Sequence, residues 1–210
     1  MTQKHNESIA RYFNKEYAGI TLEEWLNIQY SHAWSQNPEI ALAYARGLVS
    51  ISSEQDEVAV CQTTIDELKI ISDRWVENAE IARQYARGLS HLSARQEDAA
   101  ARQTTVDALK ELSNRWLDNA EIALVYAMGL VNLLARQEEV AARQTTVDAL
   151  RELSNRWLGN AEIASMYAWG LIKLSARQEN AAAIKTTVDA LRELSNRWLG
   201  NAEIASVYAR

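Results

Sequence analysis

Glycine, proline and cysteine are all scarce in this sequence. Its 210 residues include seven glycines, one proline and one cysteine. Because sheets need frequent tight turns, this scarcity argues against an all-β fold and favours long helices with short connections. The single cysteine, Cys61, excludes an internal disulfide and a zinc site built from several thiolates. We expect Cys61 to be a small buried residue in a helix.

A surplus of basic residues is also missing, and the formal net charge is −6. Without a basic stripe, binding to nucleic acid or to an anionic membrane surface is disfavoured. Residues 1–13 lack the apolar stretch of a signal peptide. The longest nearly apolar run, residues 122–135, is too short to span a bilayer and contains Asn132. These features predict a soluble, cytoplasmic protein.

Recognisable catalytic and metal-binding motifs are absent as well. The three histidines, His5, His32 and His91, share no metal-ligand spacing. The sequence has no glycine-rich phosphate loop, no nucleophile elbow and no cysteine–histidine signature. We therefore expect no enzymatic activity, no metal site and no cofactor.

What the sequence does have is an internal repeat of 41 residues. The segment Asn-x-Glu-Ile-Ala and a tryptophan both recur with this step, and Tyr-Ala-x-Gly recurs with it four times. The asparagines are Asn37, Asn78, Asn119, Asn160 and Asn201. Self-similarity at a fixed period of this length is typical of stacked supersecondary units.

Each repeat is predicted to form two helices. The asparagine is a good N-cap for the first helix, and the glutamate two places later suits the positive end of the helix dipole. Ile122, Tyr126 and Leu130 then lie on one face at helical spacing. Gly129, inside this helix, is predicted to mark the close approach of a neighbouring helix.

The end of the second helix is predicted to be marked by Gly159, a suitable C′ residue immediately before the next asparagine cap. Its predicted buried face consists of Val147, Leu150, Leu153, Trp157 and Leu158. We expect the repeated tryptophans to lie in the core between repeats. The turn between the two helices is placed near residues 136–139, and near residues 54–57 in the first full repeat.

The repeat also defines the expected organisation of the chain. Residues 1–36 are interpreted as a degenerate capping helix pair, since a terminal unit must expose one face to water. The four repeats are 37–77, 78–118, 119–159 and 160–200, and residues 201–210 form a first half-repeat. That half-repeat is either a piece of a longer array or a closing cap. All parts are expected to form one continuous solenoid.

The chain resembles the tetratricopeptide-like superfamily of helix–turn–helix repeats over about residues 37–210. Ala142 and Ala149, seven apart in the second helix, match the family's two small packing positions, and Tyr126 matches its large aromatic residue. The repeat is longer than the family's by about two helical turns. HEAT and armadillo repeats fit its length but fit the two-helix pattern less well. The resemblance implies an all-α, right-handed superhelix of antiparallel helix pairs whose first helices line a concave, partner-binding surface.

Sequence differences between repeats point to the same surface. Residues 145–160 and 186–201 are identical, whereas the first helices differ. One first-helix position holds Arg87, Met128, Trp169 and Arg210 in successive repeats, and these residue types are enriched at binding hot spots. The predicted partner-binding residues are Leu42, Arg46, Arg83, Arg87, His91, Leu124, Met128, Asn132, Met166, Trp169 and Lys173. Neutral drift after a recent duplication is the alternative explanation.

The predicted function is therefore a protein–protein interaction scaffold or sensor module that binds a protein or peptide segment on the first helices. The alternative is a self-assembling repeat protein, with homo-oligomers forming through an open C-terminal end. A nucleic-acid-binding helical repeat is a less favoured third hypothesis.

Overall fold

A computed structural model describes residues 33–54, 56–176, 180–198, 201 and 204. All regular structure within these residues is helical, which confirms the predicted all-α class. A one-turn 3₁₀ helix, Ala33–Ser35, precedes eight α-helices. These are α1 (Pro38–Glu54), α2 (Val58–Arg74), α3 (Ala79–Arg95), α4 (Ala99–Arg115), α5 (Ala120–Leu134), α6 (Val140–Arg156), α7 (Ala161–Ser175) and α8 (Ala181–Arg197). Odd-numbered helices are the first helices of their repeats, and even-numbered helices are the second.

The repeated asparagines start the first helices, as predicted. The Asn78 side chain accepts hydrogen bonds from the backbone N–H groups of Glu80 and Ile81, both at 3.1 Å. Asn119 and Asn160 each accept one such bond, at 3.1 and 3.0 Å. These side chains satisfy N–H groups that have no partner within the helix.

The turns within repeats lie where they were predicted, but the ends of the second helices do not. Helix α6 ends at Arg156, and Trp157 leaves the helix with φ −110° and ψ 53°. The Asn160 N–H then bonds to the Trp157 carbonyl at 2.9 Å, which closes a tight turn into α7. Consequently Leu158 is 59% exposed rather than buried, and Gly159 lies in this turn. The tryptophans are half-buried at the helix ends.

The chain forms two compact bodies, residues 1–96 and 97–210, called the N-terminal and C-terminal bodies below. In the N-terminal body, α1, α2 and α3 pack against one another. In the C-terminal body, α5 packs against α4, α6 and α7, and α7 packs against α6 and α8. In both bodies neighbouring first helices touch directly, and α2 and α6 each contact the first helices on their two sides.

Parts of the predicted organisation lie outside the described residues. Of the predicted N-terminal cap, residues 1–36, only residues 33–36 are described. Of the predicted half-repeat, residues 201–210, only Asn201 and Ile204 are described, and the Asn201 side chain caps the Ile204 N–H at 3.2 Å. That the repeats form one continuous solenoid stays a prediction.

Glycines mark the closest contacts between first and second helices, which confirms the interpretation of Gly129. A Cβ atom added at Gly129 would lie 2.8 Å from Leu109 Cδ1. At Gly170 it would lie 2.5 Å from Leu150 Cδ1, and at Gly88 2.6 Å from Ile65 Cδ1. The absent side chain thus leaves space that the second helix fills with its own aliphatic side chains.

We expect Gly129→Val to lower the stability of the fold by about 1–3 kcal/mol, because the added methyl groups overlap Leu109 and Val106 in a packed core. The measurement is the midpoint of urea unfolding followed by circular dichroism. Gly159→Ala is the matched control, since an added Cβ there meets nothing within 4 Å. Equal midpoints for the two variants would contradict this account of the glycine.

Candidate functional site

The predicted partner-binding residues all lie on first helices, and none of them is fully buried. Arg46, Arg87 and Met128 are exposed, and the other eight are half-buried. Tyr126 and Leu130, which belong to the repeated apolar stripe, are buried in the same helix as Met128. These eleven residues are therefore accessible, whereas the repeated residues Tyr126 and Leu130 lie in the core. We call this set of eleven residues the variable face.

Five residues of the variable face belong to the N-terminal body: Leu42, Arg46, Arg83, Arg87 and His91. The remaining six belong to the C-terminal body: Leu124, Met128, Asn132, Met166, Trp169 and Lys173. Helix α1 contacts α3 in the first body, and α5 contacts α7 in the second. Each body thus brings together variable positions from two successive repeats.

The N-terminal part of the variable face is positively charged. The Arg83 guanidinium donates a hydrogen bond to the Glu80 carboxylate. That bond, together with the charges of Arg83, Arg46 and Arg87, holds the pKa of Glu80 below its usual range. Three guanidinium groups therefore act on one carboxylate at this surface, although the chain as a whole is acidic.

His91 lies on the same helix as this cluster. Its Nδ1 atom is 3.0 Å from the Ser52 hydroxyl of α1. Burial, followed by the charges of Arg95 and Arg87, lowers the pKa of the imidazole. His91 is therefore a neutral polar group between arginines rather than a further cation at neutral pH.

The C-terminal part of the variable face is mainly apolar. Met128 is 42% exposed on α5, and Leu124 on the same helix is half-buried. Met166 and Trp169 are half-buried on α7. Thioether and indole groups adapt to irregular apolar partners and make large dispersion contacts. This surface is suited to apolar side chains, in contrast to the arginine cluster of the other body.

Two arginines that the sequence interpretation missed lie directly behind the variable face. Arg102 of α4 and Arg143 of α6 are each only 3% exposed. Arg102 donates to the Asn132 carbonyl at 2.8 Å, and Arg143 donates to the Lys173 carbonyl. The spacing of Arg143 to Val147 and Leu150, four and then three residues, is a signal that places it on the buried side of its helix.

The described residues contain no group of three or more potential metal ligands. None of the helices in this part of the chain combines the length and apolar character needed to cross a bilayer. An open depression of about 500 Å³ lies at the turn between α2 and α3, where Trp75 and Val76 form part of its wall.

Comparison with known proteins does not assign the chain to a family. No protein-family model, curated protein or solved structure matches the chain.

We expect the His91 imidazole to protonate at a lower pH than the ordinary value of about 6.5. The stability that neutral His91 contributes is fully present above about pH 6.5 and is lost as the pH falls through the lower folded-state pKa. Proton NMR titration of the ring measures this midpoint. Arg87→Met should raise it, whereas the control Lys69→Met, which alters an exposed residue of α2, should not. A wild-type midpoint at or above 6.5 would contradict the assignment.

Proposed function

We propose that the chain is a protein-interaction scaffold that binds an extended or helical segment of another protein on the variable face. The observation that carries this proposal is the contrast between accessible, changing first-helix positions and residues 145–160 and 186–201, which are identical in the last two repeats. Drift alone should change exposed residues throughout α6 and α8, yet the differences between these helices lie in their first five residues, and residues 145–160 and 186–201 are identical. Selection for different contacts along one face accounts for both facts.

The packing within each body supports a groove of this kind. First helices touch one another, while α2 and α6 each lie between the two first helices on either side. Continued along the repeats, this arrangement would give a right-handed solenoid with the first helices on its concave side, as in tetratricopeptide-like proteins. A concave surface of successive helices suits a partner segment several repeats long.

The chemistry of the variable face defines the expected partner. Arg46, Arg83 and Arg87 favour carboxylate groups, because guanidinium forms two parallel hydrogen bonds with them. Leu124, Met128 and Trp169 favour apolar side chains, and Trp and Arg are frequent binding hot spots. The proposed ligand of the N-terminal body is therefore an acidic segment, and that of the C-terminal body is an apolar segment.

The test is selection of short random peptides displayed on phage against the wild-type chain, followed by affinity measurements on the enriched peptides. Met128→Ala/Trp169→Ala should weaken the binding of apolar peptides, and Arg46→Ala/Arg87→Ala that of acidic peptides, each roughly tenfold or more, since hot-spot truncations cost at least about 1–2 kcal/mol. The arginine contribution should also weaken with added salt, because exposed charges are screened.

The matched control is Lys110→Ala/Val140→Ala, which removes one cation and one aliphatic side chain from exposed positions of α4 and α6. It should leave affinity unchanged. Peptides that bind all three double variants equally well would reject the variable face as the binding site, provided that circular dichroism shows the variants to be folded.

A second candidate function is self-association through α8. Ile184 and Val188 of α8 are 37% and 38% exposed, whereas the corresponding Arg143 and Val147 of α6 are 3% and 2% exposed beneath α7. Helix α8 therefore presents two apolar residues at the positions where α6 contacts a first helix through Arg143 and Val147. A first helix of another copy is the occupant that this face fits.

Self-association predicts that the apparent mass in sedimentation rises with protein concentration. Ile184→Glu/Val188→Glu should abolish the rise, because the charges would be desolvated in the contact. Val140→Glu changes an exposed aliphatic residue of α6 and should leave the rise intact. A wild-type mass that stays monomeric at every concentration would eliminate this candidate.

A further inference from the structure

One buried guanidinium joins the C-terminal ends of two successive first helices. Arg143 Nη1 donates to the carbonyl of Leu134, the last residue of α5, at 3.2 Å and to that of Gln137 at 3.0 Å. Its Nη2 donates to the carbonyl of Lys173, in the last turn of α7. A single side chain of α6 thus holds α5, the turn that follows it, and α7.

The chemistry of helix ends explains why an arginine suits this place. The last carbonyls of a helix have no partner within the helix, and the C-terminal end carries partial negative charge. Guanidinium is planar and cationic, and its several N–H groups diverge at fixed angles, so it can bind carbonyls of two helices at once. An ammonium group on a lysine stem is a point donor and does not span the same two ends.

Related contacts between a guanidinium and helix-end carbonyls occur elsewhere in the described residues. Arg102 of α4 donates to the Asn132 carbonyl in the last turn of α5. In the N-terminal body the position equivalent to Arg143 is Cys61. There Arg95 of α3 makes the bonds to helix-end carbonyls. Arg95 donates to the Ser53 carbonyl near the end of α1 at 2.7 Å and to the His91 carbonyl of α3 at 3.1 Å.

A guanidinium therefore joins the ends of both first-helix pairs, α1 with α3 and α5 with α7, although it comes from different helices. Three of the carbonyl groups that these arginines bind belong to residues of the variable face: His91, Asn132 and Lys173. The backbone bonds thus act at positions whose side chains belong to the variable face.

We propose that Arg143 is a positioning residue that fixes the spacing of the C-terminal ends of α5 and α7, and with it the geometry of the variable face. Arg95 has the same role for α1 and α3. The importance of this spacing for binding rests on the proposed function, but the spacing itself is a property of the free chain. It is therefore tested without any partner.

The experiment measures distances by the dipolar broadening of nitroxide spectra in a full-length Cys61→Ala background. One label pair, Ala135→Cys and Ala176→Cys, reports on the helix ends held by Arg143, because both positions are exposed C-caps. A second pair, Asp118→Cys and Gly159→Cys, lies at exposed positions beside the opposite ends of the same helices. Each doubly labelled protein is compared with its singly labelled forms.

Arg143→Met should reduce the dipolar broadening of the 135/176 pair and leave that of the 118/159 pair unchanged. Arg143→Lys should have the same selective effect to a smaller degree, and it serves as the decisive variant if Arg143→Met does not fold. Arg151→Met is the control, since it removes an exposed arginine of α6 that pairs with Asp148 at 2.8 Å. It should change neither pair.

An unchanged 135/176 spectrum in a folded Arg143 variant would overturn the proposal. Equal changes in both label pairs would also overturn it, because they would indicate general loosening rather than a local effect at the helix ends. Either result would leave the peptide-binding experiment unaffected. Conversely, a failure of peptide binding would not affect the conclusion about helix spacing, because that spacing is measured without a partner.

Discussion

The structure depends on the contact between a glycine in each of α3, α5 and α7 and an aliphatic side chain of the preceding second helix. At Gly129 and Gly170 this side chain is a leucine, Leu109 or Leu150, whose methyl group occupies the space that a Cβ atom would take. Such close approach brings the buried faces of the two helices together. The helix carrying the glycine then has its other side available for the next first helix, so stacking and an accessible face arise from one contact.

Much of this fold follows from local chemistry that is visible in the sequence. Asparagine caps determine where the first helices begin, and an interior glycine reveals a neighbouring helix. Sequence spacing does not predict the position of the tryptophans correctly, because Trp157 and Leu158 continue the helical spacing of the buried stripe. Helix α6 nevertheless stops at Arg156, since the short connection to Asn160 requires a turn there. Hydrophobic periodicity does not reveal this turn, because it shows which face of a helix is buried and not where the helix ends.

The residues of the candidate site also fall into two groups, those whose placement the sequence predicts and those whose placement it does not. Accessibility of Arg87, Met128 and Trp169 follows from their offset from the Ile–Tyr–Leu stripe, so the sequence was sufficient to predict it. The buried arginines Arg102 and Arg143 were not predicted, since charged residues are rarely buried without a compensating group. Their compensation comes from backbone carbonyls at helix ends, and those become apparent only when helices distant in sequence are brought together in space.

The recurring glycine contact has a consequence for how such a chain can change in length. Gly88, Gly129 and Gly170 are each covered by side chains at corresponding positions of the preceding second helix. A recombination event that removes or adds one 41-residue block would therefore rejoin matching surfaces at the glycine contact. The arginine junctions are less uniform, because Cys61 and Ile184 occupy the position of Arg143. Insertions between repeats that both carry the arginine should accordingly be the ones that evolution tolerates most readily.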